Sequence, residues 1–211
     1  MADQEGLRER KRQRTREALV NAAMQLFDQK GYEETTVAEI AAVAQVSTKT
    51  FFNYFASKDE VLFPHLSGRI EGAIRLIEDR APGDDMVDVL LRATEHMLAA
   101  ALSEEVGSGL ASTRLRLLMA VPDVQAATLR RYFLAEVQLA EALHRAFPDD
   151  MDWPAAAATI GSLMGAVLAA ALVSMQRGDS ADQVQAAVHH AIRVAEWGLR
   201  AAGRATPSSQ R

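Results

Sequence analysis

Apolar residues recur at intervals of three and four along almost the whole chain, the spacing of one face of an α-helix. No Asn-Gly or Asp-Gly pair separates alternating apolar runs, as a tight hairpin would require. The pattern predicts an all-α fold. Leu19, Ala22, Ala23, Leu26 and Phe27 form one stripe, and Gly31 follows as a residue suited to the left-handed conformation that ends a helix. A first helix is therefore expected over about 10 to 30. Thr36 opens T-V-A-E, in which the Thr side chain caps the third helical amide while Glu39 reaches back, so a short helix over 37 to 44 should follow. Gln45 and Val46 interrupt it, Ser47 is a fitting N-cap, and residues 48 to 55 have room for about two turns. Ser57 starts a second box, S-K-D-E, which predicts a longer helix from 58 to about 80.

Pro82 to Asp85 then break the chain, and further breaks fall at Gly107 to Gly109, at Pro122 and between Pro148 and Pro154. Helices are expected between them at 86 to 103, 110 to 120, 123 to 147, 154 to 177 and 180 to 202. That makes about nine helices, with a disordered tail over 205–211. From Pro154 to Met175 the only polar side chains are Thr159, Ser162 and Ser174, so this helix has no solvent face and is expected to be buried all round. Gly161 and Gly165, with Ala166, Ala169 and Ala170, would let a partner helix approach closely. Its length of about 33 Å matches a bilayer core. Its Ala content gains little from lipid, however, and no polybasic flank accompanies it, so a dimer core is the preferred reading.

A chain of 211 residues without Cys has neither a disulfide framework nor thiolate metal sites, and it is long enough to bury a core without them. The N-terminus is charged and lacks the apolar stretch of a signal peptide, which predicts a cytoplasmic protein. Net charge is -5, but it is unevenly spread. Residues 1–58 carry 9 Lys or Arg against 8 Asp or Glu, whereas 59–211 carry 14 against 20. Six basic residues lie between Arg8 and Arg16, Arg12 and Arg14 among them, so an acidic chain begins with a basic arm.

Two capped short helices joined by a three-residue turn, backed by a first helix with an apolar stripe, describe a helix-turn-helix DNA-binding domain. Ala41 and Ala42 are small enough to let the short helices cross, Val46 plugs the turn, and Phe51 and Phe55, four apart, face the core together. Ser47, Thr48, Lys49 and Thr50 then form the tip of a recognition helix, with Lys49 placed to donate to guanine and the Thr residues to meet a base or a thymine methyl. Phosphate contacts are expected from Thr36, from the Tyr54 hydroxyl, from Lys58 at the start of the fourth helix, and from the arm through Arg12 and Arg14. Asn53 joins this surface.

The block resembles the N-terminal domain of the TetR family of transcriptional regulators over about residues 12 to 65. The residues that carry the resemblance are Phe27, Gly31, Thr36, Val37, Ile40, Ala41, Ala44, Val46, Ser47, Phe51, Tyr54, Phe55, Lys58 and Leu62. Where that family usually has a Tyr that touches phosphate, this chain has Phe52, left to contact the sugar or to pack. The resemblance implies a DNA-binding domain over 1–58 and a helical ligand-binding and dimerisation domain over 59–204. It implies a homodimer on a palindromic double-stranded DNA operator, a small-molecule effector, and no membrane partner.

From the residues, Gly161, Gly165 and Ala169 on one helix and Val188 and Ile192 on the last are the expected dimer surface. Met97, Arg114, Leu118, Met119, Phe133 and Met164 are candidates for an effector pocket. The stretch LRRYFLAEVQLAEALHRAF is faintly similar to TetR-type regulators of acyl-CoA-like ligands, which would need an apolar slot and cations. No cofactor or metal is expected, and the absence of GxSxG, HExxH or a phosphate-binding Gly loop argues against an enzyme. A dimeric interaction scaffold with a vestigial DNA head is the competing reading.

Overall fold

The computed structural model describes residues 2–108 and 110–205, the side chains at 2–5, 9, 102–108, 111–112, 115 and 203–205 excepted. Among these residues the fold is all-α. Its helices are α1 (Ala2–Lys30), α2 (Val37–Val43), α3 (Thr48–Phe52), α4 (Leu66–Glu78), α5 (Met86–Ser108), α6 (Ala111–Ala120), α7 (Pro122–Ala146), α8 (Trp153–Gln176) and α9 (Ala181–Ala205). The basic arm is the first part of α1, since the helix begins at Ala2 and not near 10. Gly31, at φ +94, ends it. The tail expected from 205 lies, from 206 on, outside the described residues, as does Gly109 in the expected break between α5 and α6.

The expected helix from 58 to 80 is divided. Lys58–Leu62 is a 3₁₀ turn, and α4 starts only at Leu66. Pro64 is the cause, because it has no amide to donate to residue 60 and its ring drives Phe63 out of the helical region, to φ -129 and ψ 53. The second capping box does not form either. Ser57 makes no side-chain cap bond, and Glu60 accepts from the Ala56 amide instead.

The contacts group the chain into two compact units. The first comprises Met1–Ser67 with Glu104–Leu129, the second Gly68–Ser103 with Arg130–Arg211. In the first, the stripe of α1 (Leu19, Ala22, Ala23, Met24, Phe27) packs with Ile40 and Ala41 of α2, Phe51 and Phe55, Val61 and Leu62, and Leu117 and Val124. In the second, Ala73 and Ile77 of α4 and Val89, Leu90 and Ala93 of α5 pack with Leu139 and Leu143 of α7, Phe147 just after it, Ile160 and Leu163 of α8, and Val188 and Ile192 of α9.

Asp152 caps α8 by accepting from the Ala155 amide, with Pro154 in the first turn where its missing N–H costs nothing. The expectation that α8 is buried all round does not hold within one chain. Its buried residues are Ala156, Ile160, Leu163 and Ser174, and only 17% of its apolar window is covered.

Candidate nucleic-acid interface

Thr36 caps α2 as its spacing predicts. Its hydroxyl accepts from the Glu39 amide at 3.3 Å and donates to Glu39 Oε2 at 2.7 Å, while the Thr36 amide donates to the same oxygen at 2.9 Å. Glu39 also takes Lys30 Nζ at 2.6 Å on its other oxygen. The Lys30 hydrogen bond, followed by those from Thr36, holds the Glu39 carboxyl down at about 2. The carboxylate beside the α2 N-terminus therefore stays ionised at neutral pH and is matched by a cation.

The turn after α2 is tight. The Gln45 amide donates to Ala42 O and the Val46 amide to Ala41 O at 2.9 Å, with Gln45 itself in the left-handed region at φ 57. Val46 tucks against the core, and Ala41 is buried where the helices meet. Ala42, expected to share that crossing, faces solvent, because it lies about 100° round the helix from Ala41.

Ser47 caps α3 by accepting from the Thr50 amide at 3.0 Å, and its Oγ lies 2.9 Å from the Thr50 hydroxyl. The helix ends at Phe52, short of the expected Phe55, although Phe55 N still bonds Phe51 O. This short element has two faces. Phe51 and Phe55 are fully buried and Tyr54 packs beside them, whereas Ser47, Thr48, Lys49, Phe52 and Asn53 are exposed. Phe52 is 56% exposed and meets Phe51 edge-on with ring centroids 5.4 Å apart, so a half-open apolar ring stands at the rim of a polar surface.

The basic residues among the expected phosphate contacts fall into two settings. Arg12 and Arg14 are exposed on α1. Lys58 points inward. Its ammonium donates to Tyr32 O at 2.7 Å and Thr35 O at 3.0 Å, with Glu33 O at 3.5 Å and the Tyr32 ring centroid at 4.1 Å. Burial pushes that ammonium below its ordinary value. Arg16, which the sequence left unassigned within the basic arm, also serves the fold. It donates to Pro64 O at 2.8 Å and lies over the Phe55 ring at 4.8 Å, tying α1 to the turn before α4.

The residues expected to form an effector pocket are divided between the two units. Arg114, Leu118 and Met119 belong to the first unit, and Met97, Phe133 and Met164 to the second. Met97 and Met164 pack on the core of the second unit, while Phe133 is 63% exposed. A groove of about 420 Å³ runs between α8 and α9, with Ala166, Ala170, Ala187 and Ala191 along it and Arg177 and His190 among its polar residues.

The expected dimer surface needs correction in its parts. Val188 and Ile192 are buried in their own unit's core, since the apolar stripe of an amphipathic helix is claimed first by the protomer that carries it. Gly161 and Gly165 face α7: a Cβ on Gly161 would fall 2.7 Å from Glu136 Oε1, and one on Gly165 4.0 Å from the Tyr132 hydroxyl. Ala169 is exposed. The large apolar side chains left exposed on the described parts of these helices are Trp153 at the start of α8, Val173, Val194 and Trp197, the last 73% exposed. In the sequence, Val194 and Trp197 lie beside the buried stripe of α9, and no pattern marks which of two adjacent apolar stripes turns inward.

A capped α2, a tight turn, and a capped α3 with a polar outer tip, all seated on α1, define a helix-turn-helix DNA-binding protein. Residues 19–63 match the family of bacterial regulatory proteins described as the tetR family. The chain is 35% identical over 150 residues to the HTH-type transcriptional regulator TcmR of Streptomyces glaucescens, a match covering 70% of this chain and 66% of that protein. It is 44% identical over 48 residues to the HTH-type transcriptional regulator HbdR of Aromatoleum sp. (strain CIB), covering 23% of this chain and 21% of that one.

The crystal structure of a protein from Mesorhizobium loti assigned to the TetR family matches the fold with a TM-score of 0.56 at 19% identity, over 90% of this chain and 96% of that one. The chain belongs to the TetR family of transcriptional regulators. It spans about two thirds of the length of TcmR and about a fifth of that of HbdR.

Proposed function

We propose that this regulator is a repressor that binds a palindromic operator as a two-fold dimer and is released by a small apolar or amphipathic effector. Residues 1–58 read the DNA, and residues 59–204 bind the effector and the second copy. The observation that carries the DNA reading is the exposed face of α3, where Ser47, Thr48, Lys49, Phe52 and Asn53 stand out while Phe51 and Phe55 anchor the helix from behind. Its N-terminal tip is the part of a recognition helix that meets base edges.

The dimer reading rests on α8. A helix this apolar with 17% of its window covered needs an apolar neighbour, and exposed Val173, Val194 and Trp197 extend the same need onto α9. A bilayer would satisfy α8 as well, but a second copy covers α9 at the same time, and a two-fold axis would set the two tips about 34 to 36 Å apart, one turn of DNA. Release then requires an effector that binds the separated geometry of the heads more tightly than the DNA-bound one. An acyl-CoA-like effector is supported only by the similarity of residues 129–147. A cytoplasmic location accords with this role.

The test is retention of DNA from upstream of the protein's own gene. Sequence-selective binding to a palindrome that weakens steeply with salt is expected, and Lys49→Ala should cost about 1 to 3 kcal/mol mainly at one base pair. Binding that is equal on all sequences, or absent, would instead favour a dimeric interaction scaffold with a vestigial head.

A further inference from the structure

The stripe of α4 that faces the core of the second unit contains a charge. Ile70, Gly72, Ala73 and Ile77 are buried, and Arg69 stands one turn before Gly72 and Ala73 on the same side of the helix. Its Nε is fully buried and has no hydrogen-bond acceptor among the described residues. No carboxylate pairs with its guanidinium among them either. Other arginines of this unit end on acceptors: Arg80 on the Ala146 carbonyl at 2.7 Å, Arg92 on Asp84 and Arg145 on Glu78 at 2.6 Å, and Arg200 on Asp85, Asp88 and Glu196.

A guanidinium does not shed its proton to suit an apolar site, so a buried N–H without a partner costs free energy until an acceptor reaches it. Its neighbours do not supply one. The connection after α4 is short, so α5 returns antiparallel, and the two helices touch where the His96 ring lies on Gly72, at which a Cβ would fall 2.5 Å from Nε2. One turn back on α4 and one turn on along α5, Arg69 then stands opposite Ala99 and Ala100. Gly72, Ala73, Ala99 and Ala100 carry no side-chain acceptor and little bulk. Met97, packed on the core of the unit, adds a flexible apolar surface on the same stretch of α5.

We infer that Arg69 is an anion-binding residue and that the effector is an amphipathic acid, its carboxylate taken by the Arg69 guanidinium and its apolar body laid near Met97. This rests on the effector reading above for its effect on DNA, but not for the binding of the acid. One guanidinium balances one negative charge. A carboxylate carries that one charge and meets the planar fork with two parallel hydrogen bonds, whereas a phosphate ester brings about 1.5 to 2 at neutral pH and would leave part of it unbalanced.

Matched pairs of probes test it on the full-length, DNA-free chain by calorimetry: decanoate and decanol, benzoate and benzyl alcohol, naphthoate and naphthylmethanol, with decyl phosphate as a further arm. In at least one pair the acid should bind about tenfold or more tightly than its alcohol. Arg69→Met should erase that preference while leaving affinity for the alcohol within about twofold. Arg69→Lys should keep part of it, because an ammonium retains the charge and loses the fork. Without ligand, Arg69→Met should unfold at a higher temperature than wild type, since a thioether of similar length needs no acceptor. On the operator, the preferred acid should weaken retention of wild type about tenfold and leave Arg69→Met bound.

No acid preferred in any pair, or a preference that survives Arg69→Met, would overturn the assignment. Decyl phosphate binding more tightly than decanoate would replace the carboxylate with a phosphate. A lower unfolding temperature in Arg69→Met would make Arg69 a support of the fold and not a subsite. An acid preference that depends on Arg69 without release of the operator would leave the site standing and refute the effector reading. Should wild type bind no operator selectively, the DNA-binding reading fails, and calorimetry still decides the acid.

Discussion

Gln45 is held at φ 57, a conformation that crowds the Cβ of an L-residue and that Gly or Asn usually occupies. The turn geometry demands it, since Gln45 N and Val46 N both donate back into α2. Gln45→Gly should therefore raise stability by up to about 1 kcal/mol, net of the extra freedom Gly gains in the unfolded chain, as read from the midpoint of urea unfolding. Glu39 gives a prediction in pH. Its carboxyl sits at about 2 in the folded chain against an ordinary 4.5, so the unfolded chain takes up this proton first as the pH falls. The stability it contributes is complete above about pH 4.5 and is lost as pH falls through about 2. Glu39→Gln should accordingly show a flatter loss of stability than wild type over that window, and added salt should narrow the difference, because the group is exposed. Neither residue was assigned these roles from sequence beyond the capping box. A Gln carries no turn signal, and Lys30 finds Glu39 only once α1 and α2 have packed.

At the scale of the element, α3 is only Thr48–Phe52, too short to be stable alone, and it persists because Ser47 caps one end and Phe51 and Phe55 pin the other side to the core. Phe51→Ala should cost about 3 to 5 kcal/mol, a large share of the total for a domain, and should release the whole helix-turn-helix. Loss of operator binding together with a lower unfolding midpoint is the expected result; an unchanged midpoint would mean that Phe51 is not the anchor described. Most elements were legible in the chain: the stripe of α1, the cap and box at Thr36, the Ser47 cap, and the Gly31 stop are local signals that the folded chain keeps. The helix expected through 58 to 80 failed on a local signal as well, Pro64, whose missing amide outweighs the capping pattern that starts at Ser57. The start of α1 and the end of α5 differ because nothing in the residues there forbids the helix from continuing.

For the whole molecule, the operator geometry proposed above depends on a second copy. Trp197 is 73% exposed and lies on the same helix as Ala187, His190, Ala191 and Val194 of the α8–α9 groove. Trp197→Glu should leave helix content and the protomer's own core intact, because the ring packs little within one chain, yet shift sedimentation from dimer to monomer. Operator affinity should fall with it, as two linked heads become one. A variant that stays dimeric would move the interface off this part of α9. The interface residues read from the sequence were the ones most apolar and most regular, and the core of the second unit took two of them, Val188 and Ile192. Gly161 and Gly165 likewise face α7 of the same chain, and at Gly161 a Cβ would crowd the Glu136 carboxylate.

By itself the sequence determined the class of fold, the helix-turn-helix with its caps, and the burial of Phe51 and Phe55 within FFNYF, because capping, periodicity and helix stops act within a few residues; the outward turn of Phe52 came from the fold. Tertiary structure alone decided which cations stay on the surface. Arg12 and Arg14 stay exposed, while Arg16 and Lys58, equally basic in the sequence, are drawn inward by carbonyls and rings that lie 48 residues away in one case and 23 to 26 in the other. The same holds for the apolar face of α8, which the chain writes all round and the fold covers on one side. A charge or a stripe is local, but its partner is fixed only when the helices have packed.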